Sequence, residues 1–460
     1  MYMKYTQKRI LAISILGIPF ILSIGVSSFG GVGLDGSFYP LFIGTLLWGL
    51  GFFFQRTIKV PKTSSFFMLC FFLIVSFASG IVNFFSLSHI QFQGIFGVNR
   101  FIIQWLALLF YFIVALYTYN VCRSSIREPL CFLEKMILLS FVIPMIYSFF
   151  ELMRFMGGDW STVVLAQMDS LFRANDGFYP RMRSVASEPS AFGMYSAVLF
   201  PWLLTAVLNA VGARRFVLSG VLLYFLGLAF LTASRTTYVI LGVEGLLYAL
   251  LFRMDLVRNR SLIFGLFVGG GAFLTAIILG AEREINVDVL AIYQSLFFDD
   301  GIHDLSNMAR YGSTISALHI WRDFPVLGCG LGGYGFYAAD YYPNWAWQSI
   351  EIVNWSLNTP YGAGWPPVHN IYARILAEMG VIGLFAYICI LFSLLKEEWE
   401  LLNSHLEKKY VKNLIITTVG TVLCGFNGDL FHLFIFWIIL GVVWCCKTLE
   451  KMRTGEMDLC

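Results

Sequence analysis

Apolar residues in this chain do not alternate with polar ones; they run together. Long apolar stretches recur at 10–29, 38–54, 66–86, 101–121, 133–152, 190–211, 216–233, 236–253, 261–280, 370–395, 413–427 and 430–446. A hydrocarbon core of about 30 Å takes about 20 apolar residues in a helix. Inside it every backbone N–H and C=O must be satisfied within the segment, which a helix achieves. The pattern therefore predicts an all-α polytopic membrane protein with about twelve transmembrane helices. The first run follows Lys4, Lys8 and Arg9 and lacks a small-residue cleavage site after a short apolar core, so it is expected to be a retained signal anchor.

Two polar interruptions are long, at 153–187 and 281–369. A connection as long as the second is usually functional or disordered. Folding is expected here, because the stretch from Asp304 to Phe324 places Met308, Tyr311, Ile315, Leu318 and Trp321 at helical spacing, with Arg310, Thr314 and Ala317 on another face. Three parts follow: residues 1–280 with helices 1–9 and the external loop 153–187; a large external helical segment, 281–369, between helices 9 and 10; and residues 370–460 with helices 10–12 and a cytoplasmic C-terminus.

Composition supports this division, with 58% hydrophobic residues and 13% charged. The net charge of +3 says little about partners, and no nucleic-acid partner is expected. Charge placement says more. With the N-terminus inside, Lys4, Lys8, Lys59, Lys62, Lys135, Lys396, Lys408, Lys409, Lys412, Lys447 and Lys451 all fall on the inner side, and these are all the lysines in the chain. Both termini are then cytoplasmic. The outer side holds no lysine but ten arginines, among them Arg100, Arg181, Arg183, Arg235, Arg310 and Arg374. Arginine offers a planar fork that matches phosphate oxygens, although pairing with loop carboxylates would explain some of them. Of the nine cysteines only Cys329 lies outside, so no external disulfide is expected.

Three spans begin on the outer side with polar residues. Arg183-Ser184-Val185-Ala186-Ser187-Glu188-Pro189-Ser190 opens the sixth, with Pro189 suited to the first helical position. Thr232-Ala233-Ser234-Arg235 opens the eighth, with Ser234 a plausible N-cap. His369-Asn370 opens the tenth, with Arg374 one turn further on. Helix N-termini favour anions, so gathered together these mouths would suit a diphosphate. Each residue also has an ordinary reading: snorkelling for Arg235, an i,i+4 ion pair with Glu378 for Arg374, a dipole partner for Glu188 and a cap for His369. As a titratable imidazole at a helix mouth, His369 is equally a candidate general base. The glycine-rich run Gly328-Cys329-Gly330-Leu331-Gly332-Gly333 lacks the Gly-Lys-Ser/Thr ending of a nucleotide loop. The aromatics from Tyr341 to Trp365 suit either an interfacial belt or stacking on sugar rings. Asp299-Asp300 is an isolated acidic pair without neighbours at ligand spacing, so no metal is expected.

In order, several motifs resemble the O-antigen polymerase and O-antigen ligase superfamily of bacterial membrane glycosyltransferases. They are Ser187-Glu188-Pro189-Ser190, Ser234-Arg235-Thr236, Met308-Ala309-Arg310-Tyr311, the run from Trp321 through Pro325 to Tyr334, and His369-Asn370 with Tyr372 through Gly383. The resemblance implies a GT-C-type architecture, no cofactor or metal, and a glycan donor on undecaprenyl diphosphate. It implies that Arg235 and Arg310 hold the diphosphate, with Arg374 as a further candidate, and that His369 acts in catalysis, with Glu188 the alternative base. Tyr311 and Asn370 are candidates for glycan contact. Thr236 departs mildly from the small residue usual after Ser-Arg. The expected function is that of a polymerase at the outer face of the bacterial inner membrane, joining two undecaprenyl-diphosphate-linked oligosaccharides, among membrane lipids and with a chain-length regulator protein as a further partner. A ligase using lipid A–core as acceptor is the alternative, and a lipid-linked oligosaccharide flippase the third reading.

Overall fold

The computed structural model describes residues 2–24, 34–55, 58–172, 181–262, 264–265, 268, 271, 305–357 and 364–455. The ninth predicted span, 261–280, lies largely outside them, as do Asp299 and Asp300. In chain order the helices are α1 (Tyr2–Leu16), α2 (Phe38–Gln55), α3 (Ser64–Val82) and α4 (Phe84–His89). A two-stranded hairpin follows, β1 (Gln91–Phe92) and β2 (Ile95–Phe96), antiparallel with Gln91 opposite Phe96. Then come α5 (Gly97–Ser125), α6 (Pro129–Ser140), α7 (Val142–Phe155), α8 (Trp160–Phe172), α9 (Pro189–Asn209), α10 (Gly212–Leu231), α11 (Arg235–Leu251) and α12 (Arg253–Arg258). The stretch predicted to be external contributes α13 (Leu305–Asp323), α14 (Tyr334–Tyr341) and α15 (Ile350–Ser356), and the helices that follow are α16 (Ile371–Leu401), α17 (Lys408–Cys424) and α18 (Phe434–Arg453). Six segments among the described residues are long and apolar enough to cross a membrane. The protein is an all-α, multi-pass membrane protein.

Two predicted runs differ from single helices. The 10–29 run stops being helical after Leu16, because Pro19 excludes Ile18 from helical geometry and Gly17 packs on the backbone of Gly36, where a Cβ would lie 2.7 Å from its carbonyl. The Asp35 carboxylate receives the Leu22 N–H at 2.8 Å, and Leu22 has a positive φ of 53°. The 133–152 run divides at Phe141 into α6 and α7. Pro144 has no N–H for the Ser140 carbonyl one turn earlier, and its ring crowds that oxygen.

The chain forms two compact units, interleaved in sequence. The first draws on 1–56, 121–298 and 401–421. Its centre is α9, almost every residue of which is buried, packed by α6, α10 and α11. Gly193 on α9 admits Thr237 of α11, whose Oγ1 would lie 1.9 Å from a Cβ there, so these two helices approach closely near their N-terminal ends.

The second unit draws on 57–120, 299–400 and 422–460. Its centre is α18, buried continuously from Phe434 to Cys446. On α3, by contrast, Phe67, Phe71, Ile74, Phe77 and Ile81 remain exposed at helical spacing, a stripe suited to lipid. Helices α13 and α14 pack on a core that includes Ala309, Ala317, Ile320, Tyr334, Ala338, Ala346 and Ile352. This folded segment is tied into the membrane helices at a break in α16. Gly380 leaves helical geometry at φ 65° and ψ −166°. The carbonyls freed at Ala377 and Glu378 receive the N–H groups of Cys329 and Gly330 at 2.9 and 3.0 Å, and the Val381 N–H reaches the Pro325 carbonyl at 2.9 Å. The Ser79 hydroxyl also donates to the Glu378 carbonyl, at 2.7 Å. The Ala377 and Glu378 carbonyls and the Val381 and Ile382 N–H groups are thus paired across the break, as a membrane interior demands.

Candidate active site

In the first unit, Glu188 stands as N-cap residue of α9 with extended backbone, and Pro189 takes the first helical position as the sequence predicts. The Ser190 hydroxyl donates to the Glu188 carboxylate. Arg235 is the first residue of α11, and the Ser234 hydroxyl caps that helix by accepting the Thr237 N–H at 3.4 Å. The turn before it is constrained: Ala233 has a positive φ of 46°. Arg181 holds this turn, donating from Nε to the Thr232 carbonyl at 2.8 Å and from its terminal nitrogen to the Ala233 carbonyl at 2.6 Å. Beside it, the Glu151 carboxylate accepts the backbone N–H groups of Arg183 and Ser184 at 3.1 and 2.9 Å. The close Gly193–Thr237 contact joins the helices that carry Glu188 and Arg235. The first unit therefore presents two carboxylates, three arginines and two helix N-termini on adjoining segments.

In the second unit, His369 ends the strap, residues 364–369, that leads into α16. Its φ is 58°, a left-handed conformation that a β-carbon disfavours. The strap is held from several sides. Asp429 accepts the Val368 N–H at 3.1 Å, and the Thr314 hydroxyl of α13 donates to the Val368 carbonyl at 3.5 Å. The Trp355 ring lies 5.6 Å from the imidazole, centroid to centroid. Next in sequence, the Asn370 side-chain oxygen accepts the N–H groups of Tyr372 and Ala373 at 3.0 and 3.1 Å, so Asn370 is the N-cap of α16. A glycan contact by Asn370 would fall to its amide nitrogen.

Arg310 lies on α13 one turn before Thr314 and donates to Asn427 at 3.2 Å. Asn427 and Asp429 belong to one short loop between α17 and α18. That loop therefore bonds both to Arg310 and to the strap carrying His369. Tyr311, adjacent to Arg310, is more than half exposed. Arg374 sits deeper: it bonds Glu378 at 3.2 Å and Gln104 at 2.8 Å, and its guanidinium covers the Phe431 ring at 5.3 Å. The ordinary i,i+4 ion pair considered from the sequence is present. Sequence reasoning overlooked Asn427, Asp429, Trp355 and Gln104. The first two had a signal in the polar Asn427-Gly428-Asp429 step between two closely spaced apolar runs. Trp355 and Gln104 had none, because an aromatic in an aromatic-rich segment and a glutamine in a membrane helix do not stand out by pattern.

A search of curated proteins finds none that matches this chain. The family model described as O-antigen ligase matches residues 220–388, a little over a third of the chain. Arg235, Arg310, Tyr311, His369, Asn370 and Arg374 fall inside the matched region, and Glu188 falls before it. This match places residues 220–388, and with them both α11 and the strap that ends in His369, within the O-antigen ligase/polymerase superfamily of membrane proteins.

Proposed function

We propose that the protein is a polysaccharide polymerase that transfers a growing glycan from undecaprenyl diphosphate to the sugar of an incoming lipid-linked repeat unit, at the outer face of the inner membrane. The observation that carries this reading is the tie between Arg310 and the His369 strap through Asn427 and Asp429, which holds a cation and an imidazole on one braced framework. The glycosyl carbon–oxygen bond to the diphosphate breaks as an acceptor hydroxyl oxygen attacks that carbon. His369 takes the hydroxyl proton, and Glu188 is the alternative acceptor. The bond-breaking electron pair leaves on the diphosphate, where Arg235 and Arg310 stabilise the charge that develops. A diphosphate departs without protonation, so one base is sufficient. Arg374, a further candidate for the diphosphate, is bonded to Glu378 and Gln104. Tyr311 is the candidate for glycan contact, a reading supported by its exposure beside Arg310.

The test is chain extension in a strain lacking the native protein and complemented with variants. Arg235→Ala and Arg310→Ala are each expected to abolish extension, a loss of more than about 100-fold for a group stabilising developing charge. Near-normal extension by both variants would remove the diphosphate assignment. The matching family's description as O-antigen ligase favours a second reading, in which lipid A–core is the acceptor. Surface glycolipid from the deletion strain separates the two. Core bearing a single repeat unit is the polymerase result. Bare core, with long glycan retained on the lipid carrier, is the ligase result.

A further inference from the structure

The glycine-rich run that sequence analysis could not assign to a nucleotide makes room for an arginine. Gly332 has a positive φ of 80°, and a Cβ there would lie 2.9 Å from Gln104 and 3.2 Å from Arg100, both on α5. Three residues on, Gly335 does the same for Trp365, whose ring would lie 2.4 Å from a Cβ. In the space so cleared, the Arg100 guanidinium carbon lies over the Trp365 ring, 4.2 Å from its centroid. The contact is built into the start of the strap, since Trp365 precedes His369 by one short Pro-Pro-Val step.

Arg100 is unusual in what it lacks. It donates no hydrogen bond to any described residue, and its Nε is buried. The charged groups around it are Arg374, Glu378 and Asp429. Glu378 is engaged by Arg374, and one oxygen of Asp429 by the Val368 N–H. These carboxylates balance the two arginines without bonding to Arg100. Its position in the first turn of α5 adds the positive end of a helix dipole to its own charge, a placement that favours a bound anion. The aromatic contact holds the guanidinium in place, and its terminal N–H groups remain to meet oxyanions.

We propose that Arg100, held by Trp365 in the niche opened by Gly332 and Gly335, is an anion-binding residue that takes a phosphoryl oxygen of a lipid-linked substrate. This rests on the reading that the substrates are lipid diphosphates. A polymerase has particular need of such a residue, because its donor and its acceptor each carry a diphosphate.

The test is calorimetric binding of farnesyl diphosphate to the full chain in nanodiscs of zwitterionic lipid, with inorganic pyrophosphate and phosphatidylglycerol as separate competitors. Arg100→Gln is expected to weaken farnesyl diphosphate binding about tenfold, the scale of one charge-assisted contact. Arg100→Lys, which keeps the charge but not the fork, and Trp365→Phe are expected to weaken it several-fold. The exposed Arg322→Gln is the control and should bind as wild type. If Arg235→Gln weakens binding while all the Arg100 and Trp365 variants bind normally, this inference fails and the proposed function stands. If neither Arg235→Gln nor Arg100→Gln has an effect, both fail. Displacement of farnesyl diphosphate by phosphatidylglycerol as effective as that by pyrophosphate would assign the niche to a lipid headgroup and overturn the substrate assignment. Competition by pyrophosphate alone points to the phosphoryl group as the recognised feature and supports it.

Discussion

His369 combines a reactive side chain with a backbone conformation that its own β-carbon opposes. Such strain persists only where the surroundings over-determine it, and here Asp429, Thr314 and the Asn370 cap do so. Glycine tolerates φ 58° without the β-carbon penalty. His369→Gly is therefore expected to be about 1 kcal/mol more stable than His369→Ala in thermal unfolding, while both lose chain extension. Equal stability of the two would show that the turn carries no strain. Cys329 makes a different point. It is fully buried, and burial, followed by the nearby Glu378 charge, pushes its thiol well up from the ordinary range. It should stay unlabelled by maleimide in the folded protein and react on unfolding; rapid native labelling would contradict the packing of the glycine-rich run. Tyr341 donates to the Asp323 carboxylate at 2.5 Å, a contact that pushes its phenol up to about 12. Its stabilising contribution is complete below the unfolded phenol's range near pH 10 and disappears only as the pH rises through about 12. The contact is therefore intact across physiological pH.

Helices here gain their positions from breaks as much as from regularity. The discontinuity in α16 at Gly380 is the clearest case, because the glycine-rich segment after α13 meets the Ala377 and Glu378 carbonyls. Gly380→Ala places a Cβ 2.2 Å from the Val326 carbonyl oxygen at a positive φ. The combined overpacking and backbone strain should cost on the order of 3 kcal/mol, read as a lower melting temperature in detergent. An unchanged melting temperature would mean that the join is not held as described. The α9–α11 pair rests on the same kind of contact at Gly193. Further along α11, Glu244 is fully buried against Gly420 of α17, with no hydrogen-bond partner for either oxygen among the described residues. Leaving a buried charge unpaired is costly. The isosteric Glu244→Gln should accordingly unfold at the same temperature as wild type or higher, and a clear drop would reveal a partner for the carboxylate.

Across the chain, charge is sorted by residue type. All eleven lysines fall on the predicted inner side, whereas the predicted outer side carries arginine alone. The lysine bias orients the spans, and the arginines meet specific partners: backbone carbonyls for Arg181, Asn427 for Arg310, Glu378 and Gln104 for Arg374, and a tryptophan face for Arg100. A membrane-impermeant amine reagent applied to intact spheroplasts should leave the lysines unmodified and label them once the membrane is opened. Labelling of Lys408, Lys409 or Lys412 in intact cells would invert the orientation.

The run of apolar residues was sufficient to establish the membrane class and most helix positions, because burial in lipid requires long uninterrupted stretches and that requirement is written locally. Capping at Ser234 and Pro189 was legible for the same reason: a cap depends on residues within one turn. The motifs also identified Arg235, Arg310 and His369 as the residues to follow. Pattern could not reveal what each of them touches. Arg310 and the His369 strap meet through Asn427 and Asp429, far along the chain, and Arg100 meets Trp365 across more than half its length. The early end of α1 and the break in α16 depend on close backbone approach at Gly17, Gly328 and Gly380. Contacts between distant segments are set by packing and by the need to satisfy every buried polar group, and neither leaves a periodic trace in one stretch of sequence.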